Sequence, residues 1–167
     1  MYDREQRLKE VAGVAAALET LTGCPARLMI AQWALESEWG AKPVGQANYF
    51  GVKKAARHTK CCTVTTHEFV NGRPILEHLE FADYDSLADS CRDYAWLITN
   101  GAPYHAAWKQ YQHSHDLGAL IASVARVYAT DPDYAHLAEA IAVQANVTRA
   151  IAEVSQEERG RKRVTRG

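Results

Sequence analysis

A glutamate at the end of an apolar helix is the residue in this chain best suited to act as a general acid. Residues 35–40 read Leu-Glu-Ser-Glu-Trp-Gly and close a predicted helix that begins at Pro25. A carboxyl group there loses hydration and faces the negative end of the helix dipole, and both effects raise its pKa. A glutamate that keeps its proton near neutral pH can protonate a poor leaving group, such as a sugar hydroxyl.

Two glutamates, Glu36 and Glu38, compete for this role. Residues two apart on a helix point about 200° from each other. Glu36 shares its predicted face with Gln32 and Trp33, whereas Glu38 shares its face with Ala34. Periodicity therefore leaves the choice open, although at most one of the two lines a given cleft.

Cleavage of a glycosidic bond needs a second group that positions water, acts as a base or stabilises a cation. Glu68 is our first candidate, because alternation along a predicted strand places it on one face with Thr66. Rival carboxylates lie on the return strand or just after it: Glu77, Glu80, Asp83 and Asp85.

Two tyrosines, Tyr128 and Tyr134, flank a predicted helix start at residues 130–132. The start itself explains a threonine, an aspartate and a proline at these positions, but it does not explain the aromatic residues. Tyrosines at a helix junction usually belong to the core. In a carbohydrate cleft they also stack on sugar rings and donate a hydroxyl proton.

The sequence predicts neither a metal nor a cofactor. The seven histidines are scattered, and the four cysteines lack metal-binding spacing, so we expect free thiols. A zinc site made of Cys61, Cys62, Cys91 and a histidine is the disfavoured alternative. No nucleophile elbow, phosphate-binding loop or dinucleotide-binding glycine pattern occurs. Serine-hydrolase and nucleotide-dependent chemistry therefore have no support.

Length and composition predict one domain. The 167 residues are 47% hydrophobic and 23% charged, with a net charge of −1, so no global charge favours nucleic acid or a membrane surface. We expect a monomeric catalytic domain over residues 1–155 and a flexible tail over residues 156–167. Basic residues crowd that tail: Arg159, Arg161, Lys162, Arg163 and Arg166. We expect it to be solvated, with weak contact to an anionic envelope as the functional alternative.

The predicted elements are helices around one buried helix, with a β-hairpin at the side. The helix from Pro25 to Trp39 is apolar on nearly all sides, which is typical of a central helix. Strands are predicted from Thr63 to Val70 and from Pro74 to Phe81, joined by the hairpin turn Asn71-Gly72 within a β-lobe at about residues 60–82. The other helices are predicted over residues 3–21, from residue 85 or 86 to about 100, and over 104–111, 117–128 and about 130–154.

Five segments of the chain together resemble the motifs of a known family. In chain order they are Ala34-Leu-Glu-Ser-Glu-Trp-Gly40, Asn48-Tyr-Phe-Gly-Val-Lys53, Thr65-Thr-His-Glu-Phe-Val-Asn-Gly72, Phe81-Ala-Asp-Tyr-Asp-Ser86 and Tyr128-Ala-Thr-Asp-Pro-Asp-Tyr134. The order and the spacing resemble the N-acetylglucosaminidases of glycoside hydrolase family 73. This family includes the peptidoglycan-hydrolysing domain of the flagellar rod-assembly protein and many bacterial autolysins.

The resemblance implies an α+β, mostly α, lysozyme-like fold with a central buried helix and a small β-hairpin lobe. Glu36 matches the family's catalytic acid, and Glu38 falls on a variable position. Glu68 matches the second acidic residue, although His67 is an insertion, and a one-residue shift would turn Glu68 to the other face. Tyr128 matches a tyrosine that lines the active site. The substrate-binding residues that we expect are Trp39, Asn48, Phe50, Lys53, Thr66 and Tyr134.

The implied activity is hydrolysis of the β-1,4 bond between N-acetylglucosamine and N-acetylmuramic acid in peptidoglycan. Alternatives are a lysozyme-type muramidase or lytic transglycosylase on the same fold, and a non-catalytic wall-binding or phage tail module. The N-terminus lacks the apolar region of a signal peptide. We therefore expect a phage endolysin, made in the cytoplasm and acting on the wall after release, with a virion-borne hydrolase or a part of an injection machine as the alternatives.

Overall fold

The helix predicted to be central lies at the centre of the molecule. In the computed structural model it is α2, Ala26–Glu36, and eight of its residues are buried. It packs against α1, Arg4–Thr22, and α6, Tyr134–Ala142. A helix with apolar residues on every side has no face to offer to water, so the other helices cover it. The prediction of a buried central helix is confirmed.

The structure describes residues 3–70, 73–129, 131 and 133–164, and the side chains of 66–70, 73–75, 158 and 162–164 lie outside that description. The remaining elements are β1 (Cys61–Val70), β2 (Arg73–Ala82), α3 (Leu87–Asn100), a 3₁₀ helix (Ala102–Tyr104), α4 (His105–Ser114), α5 (Leu117–Tyr128) and α7 (Ala145–Val164). The mostly helical α+β class with one hairpin is therefore as predicted. Within the described chain, no helix has the length and apolarity that crossing a bilayer requires.

The two strands form an antiparallel pair in which Cys61 lies opposite Ala82 and Val70 lies opposite Arg73. Both strands are longer than predicted, and the predicted Asn71-Gly72 turn lies outside the described residues. At its base the hairpin is joined to the preceding loop, because Ala82 N donates to Val52 O at 3.0 Å.

Helix α2 ends at Glu36, three residues before the predicted end at Trp39. The hydroxyl of Ser37 donates to Trp33 O at 2.6 Å and accepts from Gly40 N at 2.9 Å, so it closes the turn that follows the helix. Glu38, Trp39 and Gly40 then have positive φ angles of 50°, 61° and 83°. Glu36 is thus the last helical residue.

The single long helix predicted to end near Val154 is wrong, because the chain forms two helices there. Arg27 supplies the reason for the break. Its Nη1 donates to Ala142 O at 2.6 Å and to Thr148 Oγ1 at 3.0 Å, and it so caps the end of α6 and holds α7 beside it.

The predicted boundary between a domain and a flexible tail at residue 155 has no counterpart in the secondary structure. Helix α7 continues through residue 155 to Val164. Glutamate, arginine and lysine dominate this stretch and have good helix propensity, so the solvated residues extend the helix. Flexibility of the final residues stays a prediction.

Candidate active site

Glu36 lies half-buried where α2 meets α6. Its Oε1 accepts a hydrogen bond of 2.6 Å from the hydroxyl of Tyr134. Burial raises the pKa of Glu36, and the hydrogen bond from Tyr134 opposes this rise without cancelling it. The geometry therefore provides a carboxyl group with a raised pKa, as a general acid requires.

A tight loop brings the backbone of Gly51 against the second oxygen of Glu36. Asn48 organises this loop: its Oδ1 accepts from Phe50 N and Val52 N, and its Nδ2 donates to Val52 O and Ala82 O at 2.9 and 2.8 Å. Gly51 has a φ of 60°, and a Cβ atom there would lie 3.4 Å from Glu36 Oε2. Glycine suits both the left-handed conformation and the close approach.

Asn48 and Phe50 were expected to bind substrate, and the structure corrects this expectation. Both side chains are buried, and Phe50 stacks on Tyr94 with ring centroids 4.3 Å apart. A side chain without exposed surface offers no contact to a sugar. These two residues act by holding the loop that carries Gly51.

The two predicted tyrosines lie together but differ in what they contact. Their rings stack with centroids 6.5 Å apart. The hydroxyl of Tyr128, the predicted catalytic tyrosine, donates to Phe50 O and so bonds to the loop. Tyr134, expected to bind substrate, is the tyrosine that bonds to Glu36.

A cavity of about 380 Å³ opens beside this cluster, and Gly51, Lys53, Tyr104 and Tyr128 are among its lining residues. Leu97 and Val127 add apolar surface, so the cavity combines aromatic, apolar and basic groups. Such a lining suits a sugar with polar substituents. Lys53 is exposed and lines the cavity, and its binding of substrate stays a prediction.

Trp39 and Glu38 lie apart from this arrangement. The guanidinium of Arg4 is 3.5 Å from the centre of the Trp39 ring, and the ring also meets the edge of Trp33. Glu38 forms an exposed ion pair of 2.7 Å with Lys42. Of the two competing glutamates, Glu36 is therefore the one among the tyrosines. Binding of substrate by Trp39 stays a prediction.

The predicted second carboxylate, Glu68, belongs to the hairpin. The backbones of Thr66 and Glu68 lie in β1, opposite Glu77 and Ile75. Their side chains belong to the part that the structure does not describe, so both expected roles stay predictions.

Sequence reasoning missed Tyr94 and Tyr104, and it mentioned Gln32 only as a neighbour of Glu36. Burial and the nearby carboxylate of Glu36 raise the pKa of Tyr104 to about 12. Gln32 joins Tyr94 to Tyr134 through its amide. For Gln32 a signal was available, because it is a glutamine among mainly apolar residues of the helix and lies four residues before Glu36.

The four cysteines, Cys24, Cys61, Cys62 and Cys91, are free thiols. Cys24 and Cys91 are buried thiols, and burial raises the pKa of Cys24 to about 12. Among the described residues, no three His, Cys, Asp or Glu side chains are grouped as a metal ion would require.

Comparisons with known proteins place this geometry in context. The family described as Glucosaminidase: Mannosyl-glycoprotein endo-beta-N-acetylglucosaminidase matches residues 12–147. A probable N-acetylmuramidase of Lactococcus lactis is 30% identical over 153 residues, covering 87% of this chain and 34% of that protein. The peptidoglycan hydrolase FlgJ of Salmonella typhimurium is 36% identical over 121 residues, covering 68% of this chain and 37% of that protein. The chain thus spans about a third of the length of these relatives.

A solved structure shares the fold of this chain. The catalytic domain of the autolysin Auto from Listeria monocytogenes matches with a TM-score of 0.72 and 28% identity, covering 90% of this chain and 89% of that domain. The lysozyme-like architecture expected from the sequence is shared with this bacterial hydrolase.

Proposed function

Because the chain belongs to the glucosaminidase family of glycoside hydrolases, we propose that it hydrolyses the glycan strands of peptidoglycan with Glu36 as the general acid. One observation carries the proposal. Glu36 is a half-buried carboxyl group with a raised pKa, bonded to Tyr134 and directed by its other oxygen toward the loop that lines a cavity. The name of the FlgJ relative, a peptidoglycan hydrolase, supports the substrate.

The proposed bond is the β-1,4 link from N-acetylglucosamine to N-acetylmuramic acid. The glucosaminidase family supports this choice. A second candidate is cleavage of the other glycosidic bond, since the Lactococcus relative is named a probable N-acetylmuramidase. Mass spectrometry of digested glycan strands separates the two: we expect N-acetylglucosamine at the new reducing end. N-acetylmuramic acid or its anhydro form there would contradict the proposal.

In the proposed mechanism Glu36 gives its proton to the leaving oxygen as the glycosidic bond breaks. Two routes complete the reaction on the opposite face. In the first, Glu68 activates water directly and the anomeric centre is inverted. In the second, the oxygen of the substrate's 2-acetamido group bonds to the anomeric carbon as the leaving group departs, with Glu68 or Tyr128 stabilising the cation. Water then breaks this new bond, so the configuration is retained. Proton NMR of the first-formed anomer distinguishes these routes.

Replacement of Glu36 by glutamine tests the proposed acid. We expect lysis of purified sacculi to fall by about a hundredfold or more, the usual contribution of a general acid. Glu38→Gln is the matched control, because it makes the same change two residues away in an exposed ion pair with Lys42, and we expect its activity to stay within about twofold. Unchanged lysis by Glu36→Gln would contradict the role of Glu36 as the acid, and absence of lysis by the wild-type protein would favour a non-catalytic wall-binding module.

A further inference from the structure

A continuous chain of hydrogen bonds leads from the core of the protein to Glu36. The hydroxyl of Tyr94, on α3, donates to Gln32 Oε1. Gln32 Nε2 donates to the hydroxyl of Tyr134 at 3.1 Å, and that hydroxyl donates to Glu36 Oε1 at 2.6 Å. Tyr94 is fully buried, Gln32 is 1% exposed and Tyr134 is 9% exposed. Water therefore has little access to the first two links.

Burial determines which group donates and which accepts in each of these hydrogen bonds. The Tyr94 hydroxyl proton has no acceptor other than Gln32 among the described residues, and a buried donor without an acceptor is costly. The carbonyl oxygen of Gln32 must then face Tyr94, which leaves its amide protons to face Tyr134. Because the Tyr134 oxygen already accepts from Gln32, its own proton points to Glu36.

We propose that Gln32 and Tyr94 are positioning residues that confine the acidic proton of Glu36 to Oε2. This inference rests on the proposed role of Glu36 as the general acid. Oε1 accepts the hydrogen bond from the Tyr134 hydroxyl, so it is the unprotonated oxygen of the carboxyl group. Oε2 is the oxygen that faces Gly51, and Gly51 is one of the residues that line the cavity.

The arrangement serves both states of the acid. When the glycosidic C–O bond breaks, the leaving oxygen takes the proton from Oε2, and the bonding electrons of that O–H stay on Glu36 as a carboxylate. Oε1 shares the new negative charge and already holds the hydrogen bond from Tyr134. The carboxylate is thus stabilised without reorientation of the site.

Among the described residues, three tyrosines interact electrostatically with Glu36: Tyr104 from the 3₁₀ helix, Tyr128 from α5 and Tyr134 from α6. The pKa of each is raised by burial first and by the negative charge of Glu36 second. All three hydroxyls are therefore protonated at neutral pH. Glu68 is left unchanged in every variant below, so its contribution to a pH profile is common to all of them.

Tyr94→Phe is the decisive variant, because it removes the first donor of the hydrogen-bond chain and leaves Glu36 in place. The Gln32 amide can then turn over, so that its oxygen faces Tyr134. The Tyr134 oxygen is then free to accept a hydrogen bond from a protonated Glu36 Oε1. We expect the alkaline limb of the pH profile of kcat to move up by roughly half to one pH unit, from the altered hydrogen bond to the acid. We also expect kcat to fall about five- to tenfold with little change in KM, since a proton on Oε1 is misplaced.

Tyr84→Phe is the matched control, because it also deletes a hydroxyl from a poorly exposed tyrosine. The Tyr84 hydroxyl donates to Asp93 Oδ2 at 2.8 Å, in a separate network. We expect a comparable loss of thermal stability with an unmoved alkaline limb. An equal shift in Tyr84→Phe would mean that the change reports general loosening, and it would overturn the proposal.

Gln32→Met provides a second route if Tyr94→Phe folds poorly, since it keeps the length of the side chain. It should move the alkaline limb in the same direction, and adding Tyr94→Phe to it should cause no further shift, because both act through one chain. If the alkaline limb and kcat of both Tyr94→Phe and Gln32→Met equal those of wild type, the positioning role is wrong. If Glu36→Gln is inactive in that case, the proposed function still stands, whereas active Glu36→Gln would refute the proposed function itself.

Discussion

At the scale of single residues, the site depends on one carboxyl group whose surroundings disfavour its charge. Glu36 is held between the tyrosines and the Gly51 loop, and burial raises its pKa above the ordinary value of 4.5. The motif around Glu36 predicted a raised pKa from two causes, lost hydration and the negative end of the helix dipole. The structure attributes the rise to burial, with the hydrogen bond from Tyr134 acting against it.

Glu36→Gln should therefore stabilise the folded protein at neutral pH. Between the unfolded and the folded pKa of Glu36 the native state binds more protons, so the free energy of unfolding falls as pH rises through this window. Glutamine keeps an acceptor for Tyr134 and carries no charge. We expect a higher melting temperature than wild type at pH 7 to 8, with a gain that shrinks as pH falls toward the ordinary value of 4.5.

Calorimetric melting between about pH 4 and pH 8 measures this difference. Glu38→Gln again serves as the control, because Glu38 is exposed and paired with Lys42. A gain that is the same at every pH, or that appears equally in Glu38→Gln, would contradict the prediction.

At the scale of elements, the termination of α2 decides where the acid lies. The hydroxyl of Ser37 closes the turn, and Gly40 packs on Trp33 so tightly that a Cβ atom would lie 2.6 Å from Cζ2 of that ring. Trp33 is fully buried, so its ring has no room to withdraw. The glycine that follows Trp39 is thus a packing requirement of the helix end.

Gly40→Ala should destabilise the protein by about 2–4 kcal/mol, from the left-handed backbone and the overpacked ring together. Gly160→Ala is a contrasting control in α7, where no atom lies within 4 Å of the added Cβ. There we expect a gain of about 0.5–1 kcal/mol from helix propensity. Urea unfolding of both variants measures the two values, and equal stability of Gly40→Ala and wild type would contradict the packing argument.

At the scale of the whole molecule, helices distant in sequence form one core around α2. Val147 and Ala150 of α7 are buried, and Ile151 and Val154 pack against the same core. Beyond residue 155 the described side chains are exposed: Gln156, Glu157, Arg159 and Arg161. The first part of α7 therefore stabilises the fold, and its last turns contribute charge.

Removal of residues 156–167 should leave the melting temperature within about 2 °C, because the side chains that the structure describes there are exposed. If the basic end contacts an anionic envelope, the truncated protein should lyse permeabilised cells more slowly at low salt, with the difference lost at high salt. Lysis assays at two ionic strengths measure this. Equal lysis at low salt would remove any role of the tail, and the endolysin setting, with release through a membrane pore, stays a separate prediction.

Much of the architecture could be predicted because its causes are local. The start of α3 at a Ser86 cap and the extent of α5 follow from signals a few residues long. The predicted boundaries failed where a distant residue intervened. Arg27 ends α6 by binding Ala142 O, 115 positions away, and no sequence window of ordinary length contains both residues.

The sequence by itself determined that a glutamate lies near the end of an apolar central helix, that a hairpin follows, and that the motifs match a glycosidase family. Only the tertiary structure decided that Tyr134, 98 positions from Glu36, donates a hydrogen bond to that carboxyl group, and that Gln32 joins Tyr134 to Tyr94. The physical reason is range. Helix caps and apolar periodicity act over a few residues, whereas a hydrogen bond forms at about 3 Å, a distance that packing alone sets between residues far apart in the chain.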